Sequence, residues 1–181
     1  MHGLHWLSMP VLATAGICVH ATQYATPDLA AKRSFPDATA FRDIIVQLSA
    51  PEIRAIADAA GMPVRNSTWR TIVALNGDKP LGVTVLDSVI GKFELIDYAV
   101  AIGNDGKIRN VEILTYRESH GYEVRLPAWR KQFVGKGIDA RLRVSEDIAN
   151  ISGATMSSTS ITDGVRRALA LVATMRAAGR L

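Results

Sequence analysis

The 181-residue chain has a single cysteine, Cys18, so no disulfide can close within it. Its four histidines are His2, His5, His20 and His120, and no Cys/His pattern at metal-ligand spacing exists. Aromatic residues are scarce, at 6%. No basic run exceeds two residues (Lys32-Arg33, Arg130-Lys131, Arg166-Arg167), although the net charge is +4. A nucleic-acid binder concentrates its cations in a stripe, so these scattered charges read as a solvated surface and imply no nucleic-acid partner. There is no internal repeat and no low-complexity segment. At 48% hydrophobic and 21% charged, the composition is that of one ordinary globular domain. It excludes a disordered tail, a collagen-like repeat and a multi-span membrane protein.

Charge is also missing from residues 1–21, which contain no Lys, Arg, Asp or Glu. Leu4 to Val19 is mostly apolar, and Val19-His20-Ala21 ends in the small residues that a signal peptidase reads. This predicts an export signal over 1–21, cleaved after Ala21, with an uncleaved anchor or a buried N-terminal helix as alternatives. The apolar stretch is shorter than the roughly 20 residues of a membrane span.

Residues 22–33 are polar, contain Pro27, and read as a linker. From Asp37 to Ser49, Phe41, Ile44, Ile45 and Leu48 follow the i, i+3, i+4, i+7 spacing of one helical face. Ser49-Ala50-Pro51-Glu52 has the form of a capping box, opening a second helix that Gly61 ends. Strand patterns follow. Trp69 to Leu75 leads into the hairpin signal Asn76-Gly77. Leu81 to Ile90 is β-branched, Leu95 to Ile102 alternates, Asn104-Asp105-Gly106 marks a turn, and Ile108 to Tyr116 alternates again. Helical spacing returns at Ile161, Val165, Leu169, Val172 and Met175. The fold class expected is α+β: an antiparallel twisted sheet with N-terminal helices and a C-terminal helix packed on it.

The segment that carries chemistry is Ile151-Ser-Gly-Ala-Thr-Met-Ser-Ser-Thr-Ser160, seven of whose ten residues are hydroxyl residues or glycine. A helix follows it directly. Helix N-termini present unpaired N–H groups and the positive end of the dipole, which together suit a phosphate. The alternative is plain capping by Ser or Thr, and Ser160-Ile-Thr-Asp163 itself has the form of a capping box.

Ser152-Gly153-Ala154-Thr155 followed by hydroxyl residues and a helix resembles the flavinylation motif of the FMN-binding domain family. That family includes the covalent-FMN subunits of the Rnf and sodium-pumping Nqr complexes and many small exported proteins. Further motifs occur in the family's order. They are Ser34-Phe35-Pro36-Asp37-Ala38, Gly91-Lys92-Phe93-Glu94-Leu95-Ile96, Thr115-Tyr116-Arg117-Glu118 with Gly121, and Trp129-Arg-Lys-Gln132-Phe133-Val-Gly135-Lys136. The likeness spans about residues 34–175 and implies an FMN-binding domain over 34–181. Two positions depart from it: Ala149 stands where many members carry aspartate, and Phe93 where small exported members often carry histidine.

The resemblance implies FMN joined by a phosphoester to Thr155, installed from FAD by a magnesium-dependent flavin transferase of the ApbE type with release of AMP. Ser152, Gly153, Ala154, Ser157 and Ser158 would lie near the phosphate, and Glu118 is a further candidate beside the flavin. Trp129 and Phe133 read as core residues, and His120 has no nucleophile or carboxylate placed beside it by spacing. The function implied is that of an exported, periplasmic or membrane-associated electron carrier between membrane or periplasmic redox partners. A flavin-dependent reductase of a small acceptor and a binding module that never carries flavin are the alternatives.

Overall fold

The computed structural model describes residues 22–181; the segment read as an export signal, 1–21, lies outside them. Six strands form one antiparallel sheet in the order β1-β6-β5-β4-β3-β2. They are β1 (Thr22–Gln23), β2 (Ala40–Gln47), β3 (Thr68–Asn76), β4 (Lys79–Ile90), β5 (Leu95–Gly103) and β6 (Ile108–Tyr116). The helices are α1 (Pro27–Ser34), α2 (Ala50–Ala60), the single turn α3 (Pro127–Arg130) and α4 (Thr155–Ala177). The expected α+β class is what the chain adopts.

Alternation builds the central hairpins. Val83, Val85, Tyr98, Val100, Ile102, Val111 and Ile113 point to one face and are buried there. Onto that face α4 packs Ile161, Val165, Ala168, Leu169, Val172 and Met175. Burying each of the Ile, Val, Leu and Met side chains among these contributes on the order of 1.5–3 kcal/mol. Ala99, Leu114 and Ala30 form a smaller cluster on the opposite face, beneath α1. Gly164 lets α4 approach: a Cβ there would lie 1.8 Å from the Tyr98 hydroxyl. Among the described residues no helix is long and apolar enough to cross a membrane.

Two segments differ from the sequence reading. Residues 40–47 are the edge strand β2, paired with β3 from Ala40↔Leu75 to Gln47↔Thr68, not a helix. Ile44 is partly buried while Val46 and Leu48 are fully buried, and Ile45 is 61% exposed, so the true period is two. The β-branched run Ile44-Ile45-Val46 favours the strand, and the helical spacing was a coincidence of four positions. Residues 22–34 likewise hold β1 and α1 rather than a free linker. Thr26 Oγ1 caps α1 by accepting the Leu29 N–H at 3.3 Å, and Ala30 and Ala31 are buried.

The box at Ser49 does open α2: Glu52 Oε2 accepts both the Ser49 N–H and its hydroxyl at 2.7 Å. Gly61, at φ +65°, closes the helix. The Ser160–Asp163 box, by contrast, lies inside α4, which begins at Thr155.

Candidate functional site

The site lies where the C-terminal end of β6, the β4–β5 turn and the start of α4 converge. Tyr116 ends β6, and its hydroxyl donates to the His120 carbonyl at 2.5 Å, closing the intervening loop. Burial pushes the Tyr116 pKa up, against a hydrogen bond from Ser157. Gly121 follows at φ +81°, and a Cβ on it would stand 2.3 Å from the Ala154 Cβ. Only glycine therefore seats this loop against the residue that precedes α4.

Glu118 organises the other wall. Its Oε1 accepts backbone N–H groups from Lys92, from Phe93 at 2.7 Å and from Glu94 at 3.0 Å. The carboxylate thus fills a concavity of main-chain donors and fixes the β4–β5 turn. A Cβ on Gly91 would meet Glu118 Oε1 at 2.6 Å and Ser157 Oγ at 2.9 Å, so the turn presses directly on the first turn of α4. Phe93, at the turn tip, is 75% exposed.

The loop into α4 is fastened at three points by the Trp129–Lys136 segment. Trp129 Nε1 donates to the Ala149 carbonyl at 2.8 Å, and Gln132 Oε1 accepts the Ala149 N–H at 2.7 Å. Lys136 Nζ meets Asp147 Oδ2 at 3.2 Å. Asp147 also accepts the Leu142 N–H at 3.1 Å and the Arg143 N–H at 2.7 Å. Burial alone would raise its pKa, but these donors hold the carboxyl below the usual range. Trp129 and Phe133 are core residues, in edge-to-face contact with centroids 5.1 Å apart.

At the helix start, Ala154 occupies the cap position and no side chain caps α4. The first-turn N–H groups of Thr155, Met156 and Ser157 lie beyond intrahelical reach; the next, from Ser158, takes the Ala154 carbonyl at 3.0 Å. Plain Ser/Thr capping does not describe this terminus. Gly153, at φ +79°, has open space where a Cβ would be. Ser152 and Thr155 are exposed, while Ser157 and Ser158 are buried. The Ser158 hydroxyl is spent on the Ala154 carbonyl at 3.1 Å. His120 is exposed and pairs through Nδ1 with Ser119 Oγ at 2.9 Å.

Sequence reasoning missed two features. Asn150 donates from Nδ2 to Thr155 Oγ1 at 3.0 Å. A polar residue just upstream of the motif was the available signal. The second is a groove of about 580 Å³ beside α4, lined among others by Trp69, Asp87, Ile90, Leu95, Ser160 and Arg167. At its margin, burial pushes the Asp87 pKa up, opposed by the Tyr98 hydroxyl at 2.5 Å and by Arg167 at 3.8 Å. No spacing in the sequence joins these three residues.

Comparison with known proteins bears on the same region. Residues 91–170 match the family model of the FMN-binding domain. Over 169 residues the chain is 28% identical to a subunit of the proton-translocating ferredoxin:NAD(+) oxidoreductase complex of Clostridium ljungdahlii, covering 88% of this chain and 85% of that one. Its fold is shared with NqrC of Shewanella oneidensis at a TM-score of 0.53 and 17% identity, over 80% of this chain and 88% of the other. From the β4–β5 turn to the middle of α4, this chain is similar to the FMN-binding domain family.

Proposed function

We propose that this chain is an exported electron-transfer flavoprotein, carrying FMN as a phosphoester on Thr155 and relaying electrons between membrane or periplasmic redox partners. The observation that carries this reading is the start of α4. A 23-residue helix begins with uncapped N–H groups, an open glycine before it, and an exposed threonine hydroxyl at its first position. That arrangement fits a phosphate ester: the backbone donors and the dipole favour the negative charge, and Gly153 leaves room for the close approach. The relative from Clostridium ljungdahlii, named as a subunit of a ferredoxin:NAD(+) oxidoreductase complex, supports a place in electron transfer.

Bound FMN supplies a ring that accepts and donates electrons; the protein supplies its binding, orientation and electrostatics. The N–H groups of Thr155, Met156 and Ser157 would hold the phosphate. Glu118 does not touch it in this reading. Its carboxylate fixes the β4–β5 turn, which presses on Ser157 and so holds the first turn of α4 in place. The groove beside α4 offers room for the ring, with Trp69, Ile90 and Leu95 as its apolar lining. Ser160 lines it from five residues beyond Thr155, roughly 7.5 Å along the helix axis. A tether at the phosphate keeps the cofactor on an exported protein, where free FMN would diffuse away. Maturation requires a flavin transferase that moves FMN from FAD onto Thr155 and releases AMP.

The test is to express the full chain with such a transferase and view a denaturing gel under ultraviolet light. A fluorescent band at the chain's position is expected. A dark band, while the transferase labels another substrate, would leave the binding-module reading in its place.

A further inference from the structure

Thr155 Oγ1 has one side-chain partner among the described residues, the Asn150 amide at 3.0 Å. Asn150 does not hang from a free loop. The residue before it, Ala149, is held through both its backbone groups by Gln132 and Trp129, and Asp147 is tied to Lys136. The chain then turns through Ser152 and Gly153, and the Ala154 N–H closes the turn on the Ile151 carbonyl at 2.9 Å. Asn150 and Thr155 are thereby set on the two sides of one fastened turn. The polar side chain that reaches the Thr155 hydroxyl thus comes from the residue directly after the anchored Ala149.

We infer that Asn150 is a positioning residue for flavin attachment, its amide N–H holding the Thr155 hydroxyl oxygen in the orientation from which it attacks phosphorus. This rests on the reading of Thr155 as the attachment residue. In that step the Thr155 Oγ–P bond forms and the P–O bond joining FMN to AMP in FAD breaks. AMP leaves with the bonding pair, and the hydroxyl proton passes to a base of the transferase. A donor on Oγ1 fixes the threonine rotamer, leaves the hydroxyl proton free to depart, and stabilises the negative charge that grows on oxygen. It also explains the three anchors on residues 147–149: they set the backbone from which Asn150 reaches.

The test uses the purified full chain, a purified flavin transferase, FAD and Mg²⁺, with attachment followed by intact mass. Asn150→Ala removes the side chain. Asn150→Asp keeps its shape and removes the N–H donor. Both variants are expected to lower kcat for attachment roughly tenfold, with KM for the chain within about twofold and unchanged melting temperatures. Attachment at the wild-type rate in either variant, or a loss confined to KM, would overturn the inference. Unmodified wild-type chain, with the transferase active on another substrate, would instead remove the reading of Thr155 on which it rests.

Discussion

Two helix starts in this molecule solve the same electrostatic problem in opposite ways. Helix α2 brings its own anion: Glu52 folds back onto Ser49, accepting its N–H and hydroxyl at 2.7 Å, and Arg180 joins at 2.7 Å. The Ser49 donors, chiefly its N–H, bring the Glu52 pKa down to about 2. Helix α4 is twice as long, yet begins on Ala154 with no acidic residue in its first turn and no side-chain cap. Its surroundings are nevertheless tightly specified by Gly121, Glu118, Gln132 and Trp129. In the function proposed above, the anion that this terminus lacks is the flavin phosphate.

The contrast can be broken most severely at Gly121. Gly121→Ala forces a Cβ into Ala154 at a left-handed backbone position, and about 1–3 kcal/mol of stability should be lost. Urea unfolding would show this, and attachment of flavin should fall with it because the loop can no longer rest on the start of α4. A milder break is Gln132→Ala, which leaves the Ala149 N–H without its partner. A loss of about 1 kcal/mol is expected, again by urea unfolding, with slower flavin attachment.

On the other side of the comparison, Glu52→Gln should weaken α2 while leaving flavin attachment untouched. The sign with pH follows from the lowered pKa. Glu52 contributes stability above its unfolded value near 4.5 and loses it as pH falls toward about 2. The melting-temperature gap between wild type and Glu52→Gln should therefore be fullest at neutral pH and close as the solution is acidified through that window. The smallest effect expected is a direct one on the unflavinylated chain. Inorganic phosphate titrated in an NMR experiment should shift the amides of Thr155, Met156 and Ser157, and leave those at the start of α2, where Glu52 already sits, unmoved.

Much of this was legible in the sequence because it was local. The β3–β6 hairpins announce themselves through alternation and through turns at Asn76-Gly77 and Asn104-Asp105-Gly106. The box at Ser49 is a four-residue pattern, and the Ser152–Thr155 motif with its following helix is a ten-residue one. What escaped depends on partners distant in sequence. β2 mimics a helix because Phe41, Ile44, Ile45 and Leu48 meet the helical spacing; only pairing with β3 reveals the period of two. β1 and α1 are short and polar, and gain their structure from β6 and the sheet face. The anchoring of Ala149 by Trp129 and Gln132 joins residues 17 to 20 apart without a repeat to signal it. Glu118 could be singled out as a candidate, but its hold on the 92–94 amides depends on β4, β5 and β6 lying side by side.

The central claim is that the open start of α4 carries a flavin phosphate on Thr155. Intact mass tests it most directly, on the full chain and its Thr155→Ala variant, each produced together with a flavin transferase. The account predicts a wild-type mass greater by one FMN less one water and an unmodified variant. Wild-type chain at its unmodified mass, or a variant that gains the flavin as well, would contradict it.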